Sequence, residues 1–250
     1  MKDLVLSVCS KNELEILQSI NYNGKIHIGA PLIKDGGVLD FDTIKSLLVT
    51  ATELGFEQII VDLPLKVDIK PNEALKYLLR LLGSGASYIC IEYFPDNDEL
   101  WETLSKYRSK IFIQFGYVAQ LINSKHPIVT YNLDDGFVQK STKSISYLFR
   151  GLENFIQKGY TNFLFEAISN TNLPVLFEQV EDDSFYIVTV GLRLNDSSIR
   201  KVDAVCFVLE DLLQRDDMLS IPVRAKDKSD EQVLKRVIEF IQNGKYRDLF

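Results

Sequence analysis

Short apolar runs, each closed by one carboxylate or amide, constrain most what this chain can fold into. They read Ile59-Ile60-Val61-Asp62, Ile89-Cys90-Ile91-Glu92, Ile111-Phe112-Ile113-Gln114 and Phe163-Leu164-Phe165-Glu166, with a looser copy in Ile128-Val129-Thr130-Tyr131-Asn132. Runs this short, rich in Ile, Val and Phe and separated by helix-like stretches, are what strands of a parallel sheet covered on both faces look like. The closing polar residue then falls at the carboxyl end of its strand, where parallel α/β folds keep their ligand sites.

The same reading extends along the chain. Strands are expected near 3–9, 25–32, 58–65, 87–94, 110–117, 127–132 and 161–168, with further runs at 185–194, 204–209 and 220–225. Between them, Ile44, Leu47, Leu48 and Ala51 mark one helix face, Leu100, Trp101, Leu104 and Tyr107 a second, and Ile145, Leu148, Phe149, Leu152 and Phe155 a third. Ser229, three residues before Gln232, has the spacing of a capping box and opens a closing helix. Gly83-Ser84-Gly85 follows a helix and precedes a strand, so it reads as a helix stop with a left-handed glycine rather than a phosphate loop. Gly36-Gly37 follows a strand, but Asp35 and Asp40 flank it, which suits a mouth loop better than an anion cradle. This alternation over 250 residues predicts one α/β domain spanning 1–250, a (β/α)8 TIM-type barrel that is less regular in its last third. The alternative is an open doubly wound parallel sheet.

Composition excludes several classes of function. A formal charge of −7 argues against a nucleic-acid or anionic-membrane binder, and no apolar run reaches the ~20 residues of a membrane helix. Cys9, Cys90 and Cys206 are too widely spaced for a disulfide framework or a CxxC site, so reduced thiols in a cytoplasmic protein are expected. Only His27 and His126 are available as imidazoles, which disfavours multi-histidine metal sites. His27 is expected early in the second strand and His126 before the sixth, both facing away from the mouth. Cys9 therefore has no base and reads as structural. The strands are expected to carry no interior lysine, which disfavours Schiff-base chemistry.

What remains is oxygen chemistry. Asp62, Glu92 and Glu166 are the candidate catalytic residues and the candidate ligands of Mg²⁺ or Mn²⁺, because carboxylates from successive strand ends can hold a hard ion or divide acid and base roles. Gln114, Asn132, Tyr93 and Tyr131 are candidates for orienting a small polar metabolite. Arg224 and Lys226, before the closing helix, are candidates for an anionic group. The plain alternative for all of them is solvated strand ends and surface charge. A second reading of the whole chain is a non-catalytic barrel that binds protein partners through an aromatic rim. Tyr131-Asn132 through Phe137, with the helix after it, resembles the barrel domain of some large protein arginine methyltransferases, and the resemblance implies a binding module rather than an activity.

Overall fold

The structure is a computed structural model, and it describes residues 3–29, 41–65, 69–93, 97–115, 151–165, 184–189 and 204–208. The elements begin β1 (Asp3–Val8), α1 (Lys11–Ser19), β2 (Lys25–Ile28), α2 (Phe41–Glu53), β3 (Ile59–Asp62) and α3 (Pro71–Gly83). They continue β4 (Tyr88–Glu92), α4 (Asp98–Leu104), a 3₁₀ turn (Ser105–Lys110) and β5 (Ile111–Phe115), then β6 (Asn162–Phe165), β7 (Phe185–Thr189) and β8 (Ala204–Val208). Helical turns at 151–157 lead into β6. Every strand pairs in parallel with the next, and β8 pairs back onto β1 through Asp3↔Ala204 to Ser7↔Val208, so the sheet closes on itself. The fold is mixed α/β with a curled parallel sheet, not an open doubly wound one.

Strand parity explains the apolar runs. Side chains alternate across a strand, and here the two sets enter two cores. Leu6, Ile26, Ile28, Ile59, Val61, Ile89, Ile91, Ile113 and Phe163 join the core shared with the helices. Val5, Ile60, Cys90, Phe112, Leu164, Ile187 and Cys206 form a separate core inside the ring. Two expected helix faces are buried, Ile44, Leu47, Leu48 and Ala51 on α2 and Leu100, Trp101 and Leu104 on α4; of the third, Leu152 and Phe155 are buried, and Ile145, Leu148 and Phe149 lie outside the described residues. Gly85 has φ +109°, the expected left-handed helix stop.

β5 pairs directly with β6, from Phe112↔Asn162 to Phe115↔Phe165, so Phe163-Leu164-Phe165 follows β5 in the ring, one place earlier than the expected seventh strand. The runs at 127–132 and 220–225, the closing helix at Ser229 and the Gly36-Gly37 loop lie outside the described residues.

Two local features orient the site. The first is the start of α1, where Ser10 Oγ accepts from the Glu13 N–H at 3.3 Å while Glu13 Oε2 accepts from the N–H groups of Cys9 and Ser10, both at 2.8 Å. This capping box fixes the turn leaving β1 at its carboxyl end. Ser10→Ala is expected to lower the unfolding free energy by about 1 kcal/mol in denaturant titration. The second is an apolar floor. Inside the ring the Phe112 ring packs edge-on to Tyr88 at 5.3 Å and to Phe185 at 6.2 Å, and Lys25 Nζ lies 4.9 Å above Phe185. These side chains fill the amino-terminal end of the ring. Lys25 thereby corrects the expectation of no interior lysine, since it starts β2 on the parity of His27, but at the floor rather than the mouth.

Candidate functional site

The residues above the floor follow from the same parity. β3 points Ile60 inward and therefore Asp62; β4 points Cys90 inward and therefore Glu92; β5 points Phe112 inward and therefore Gln114. In closed parallel barrels the interior is layered, each layer drawn from alternate strands. Val5, Ile60, Phe112 and Ile187 supply one layer from β1, β3, β5 and β7. His27, Cys90, Leu164 and Cys206 supply the next from β2, β4, β6 and β8. Ser7, Asp62 and Gln114 lie one step nearer the carboxyl ends. The interior thus turns from apolar to polar over two layers.

The polar layers are bonded to each other. His27 Nε2 is 2.6 Å from Asp62 Oδ1, and His27 Nδ1 is 3.2 Å from Ser7 Oγ. Ser7 Oγ in turn donates to the Gly29 carbonyl at 3.4 Å. Cys90 Sγ donates to Gln114 Oε1 at 3.4 Å. Burial by itself would push the His27 pKa down, but the negative charge of Asp62, its hydrogen bond, and further side-chain bonds to Cys206 and Cys90 outweigh that and hold it well above the ordinary 6.5. In its protonated form, which the Asp62 carboxylate favours, both ring nitrogens of His27 donate: Nδ1–H to Ser7 and Nε2–H to Asp62.

Gly29 is what lets Asp62 take this position. A Cβ at residue 29 would fall 2.6 Å from Asp62 Cβ and closer still to its carboxylate. The Asp62 side chain is 14% exposed and that of His27 only 3%, so the carboxylate, not the imidazole, is the group a ligand can touch. The Ser7, His27 and Asp62 chain resembles a nucleophilic triad in composition only. Ser7 is 2% exposed, and a protonated His27 has no lone pair with which to take the serine proton.

Of the residues singled out from sequence, Asp62, Glu92 and Gln114 share the interior; Glu92 sits across the ladder from Gln114 and Asp62 across from Cys90. Tyr93 is a correction. It has the opposite parity from Glu92 and packs among the helices, its ring 5.1 Å from Phe115 and 5.7 Å from Phe155, over Gly151. Glu166, Asn132, Tyr131, Arg224 and Lys226 lie outside the described residues. His27 is a second correction: it points into the ring, because Ile26 and Ile28 on either side face the helices. Ser7 and Cys90 were missed for the same reason. The signal was present in Lys25-Ile26-His27-Ile28, a polar residue between two aliphatic ones. Among the described residues, donor atoms of His27, Asp62 and Cys90 lie within 4.8 Å of one another, and Glu92 is not part of that group.

No helix among the described residues is long and apolar enough to cross a membrane. No family model matches the chain. No curated protein matches it by sequence. The chain does resemble solved structures, among them a crystal structure described as a "putative phosphonomutase" from Burkholderia cenocepacia J2315. That likeness has a TM-score of 0.58 at 11% identity and covers 97% of this chain and 94% of the other. At that identity the likeness is one of fold, and a fold of this type hosts many unrelated chemistries.

Proposed function

We propose that the chain is a single-domain (β/α)8 barrel enzyme, spanning 1–250, that acts on a small polar metabolite at the carboxyl end of its strands. The observation that carries this reading is the Asp62 carboxylate, held 2.6 Å from the buried His27 imidazole, partly exposed, and set on an apolar core. A buried ion pair is a poor way to gain stability, so its placement at the ligand end of the fold favours a functional role. In this reading Asp62, Glu92 and Glu166 are the catalytic carboxylates. Gln114 orients the substrate, with Asn132 and Tyr131 assisting. Oxygen donors of Asp62, Glu92 and Glu166 suit Mg²⁺ or Mn²⁺. The name of the structural neighbour suggests an anionic substrate, a phosphonate or phosphate, and Arg224 and Lys226 are suited to its charge. Cys9, Cys90 and Cys206 form no disulfide, and Cys90 and Cys206 are buried, which fits a reducing cytoplasm.

The test is a thermal-shift screen of the full chain against small carboxylates, phosphates and phosphonates, with and without Mg²⁺. At least one compound class should raise the melting temperature of the wild type and fail to do so for Asp62→Asn and Glu92→Gln. If no compound shifts the wild type, or if Asp62→Asn responds equally, the reading is wrong.

A further inference from the structure

Three donors of three chemical kinds meet inside the ring: the imidazole of His27 on β2, the carboxylate of Asp62 on β3 and the thiol of Cys90 on β4. We propose that these three residues form a binding site for a borderline-soft divalent ion of the zinc type, deeper in the barrel than the all-oxygen set at its mouth. A hard ion such as Mg²⁺ has little use for sulfur or imidazole, whereas zinc takes nitrogen, sulfur and carboxylate oxygen together.

The distances fit a small rearrangement. Tetrahedral zinc, with bonds of about 2.0–2.3 Å, spaces its donors by roughly 3.3–3.7 Å. The three donor atoms lie within 4.8 Å of one another, and the closest pair, His27 Nε2 and Asp62 Oδ1, is at 2.6 Å. Side-chain rotations that move donors by about an ångström accommodate the ion.

The surroundings match what a metal-bound histidine requires. Such a histidine usually donates its other ring N–H to a fixed acceptor, which sets the tautomer. Here Nδ1 lies 3.2 Å from Ser7 Oγ, and Ser7 donates its own O–H to the Gly29 carbonyl, which leaves the Ser7 oxygen to accept from Nδ1–H. Nε2 is thereby the nitrogen left for the ion. Binding displaces the proton on Nε2 and the proton on Cys90 Sγ, both released to solvent; no oxidation state changes. The Asp62 carboxylate, already facing Nε2, exchanges an N–H donor for the cation. Gln114, which accepts from the Cys90 thiol at 3.4 Å, can turn its amide to donate to the thiolate once that proton has gone.

The site shares Asp62 with the proposed function and otherwise stands apart from it, so the tests separate them. The chelator-treated full chain is titrated with Co²⁺, a spectroscopic stand-in for zinc. The wild type should bind one ion and show a near-ultraviolet thiolate-to-cobalt band with visible ligand-field bands. Cys90→Ser should lose the charge-transfer band, and Glu92→Gln should keep it. Ser7→Ala should keep the band with affinity weakened roughly 10–100-fold. X-ray absorption of the zinc-loaded wild type needs no variant and covers the case in which Cys90→Ser does not fold; sulfur at about 2.3 Å is expected in the first shell. An all-oxygen shell, absence of the band, survival of the band in Cys90→Ser, or its loss in Glu92→Gln would each overturn the proposal. None of those outcomes bears on whether a metabolite binds at the mouth.

Discussion

Replacing Asp62 with leucine is expected to lower the unfolding free energy by roughly 3–5 kcal/mol near pH 6, and replacing His27 with leucine as well to restore most of it. The single change removes the closest acceptor of an imidazole that is 3% exposed, Asp62 Oδ1 at 2.6 Å, while the double change removes both members of the pair. The penalty should depend on pH in a definite direction. The folded-state pKa of His27 lies above its unfolded value, so the pair stabilises fully below about pH 6.5 and ceases to do so as pH rises through the folded value. The penalty for Asp62→Leu should shrink over that rise. Chemical denaturation of the four proteins of the cycle, at two pH values, gives the coupling directly. A double variant as unstable as the single one would mean the ion pair is not what holds these side chains.

Gly29→Ala is the second large effect. An added Cβ overlaps the Asp62 side chain from Cβ to carboxylate, and Asp62 cannot retreat without leaving His27. Overpacking and the broken pair together predict a loss of about 3 kcal/mol or more. The change adds one methyl group and removes no polar atom, so contact counting alone would miss it. Gly29→Ala should also abolish ligand-induced thermal shifts, because it displaces the carboxylate that meets the ligand. Wild-type stability together with wild-type shifts in Gly29→Ala would refute the placement of Asp62 against the Gly29 backbone.

The sequence made the sheet legible because buried parallel strands write themselves as apolar runs. What those runs conceal is parity: Ile59, Ile60 and Val61 are all buried, although Ile60 faces the barrel interior and its neighbours face the helices. Where both faces are apolar, hydrophobicity cannot tell them apart. A polar residue inside a run can, and His27 between Ile26 and Ile28 was that marker, as Cys90 between Ile89 and Ile91 was a weaker one. Reading His27 by its distance from the strand end, rather than by its neighbours, set it on the wrong face. Tyr93 failed for the complementary reason. Its place at the end of β4 suggests the mouth, yet it follows the inward Glu92, and adjacent strand residues point to opposite sides. Asp62, Glu92 and Gln114 were legible because their spacing within each run repeats, which guarantees a common parity whatever that parity is. The place of Phe163-Leu164-Phe165 in the ring was not legible, since no local signal says which run pairs with which; the direct β5 to β6 ladder does.

The most direct measurement is a ¹H–¹⁵N NMR titration of the two imidazoles in metal-free protein, with His27→Gln to assign them. His27 is expected to keep both ring N–H protons through neutral pH, to titrate well above 6.5, to exchange slowly with water, and to lose that elevation in Asp62→Asn. A His27 that titrates at or below 6.5 in fast exchange with solvent would contradict this, because the imidazole would then be neither inside the barrel nor paired with Asp62.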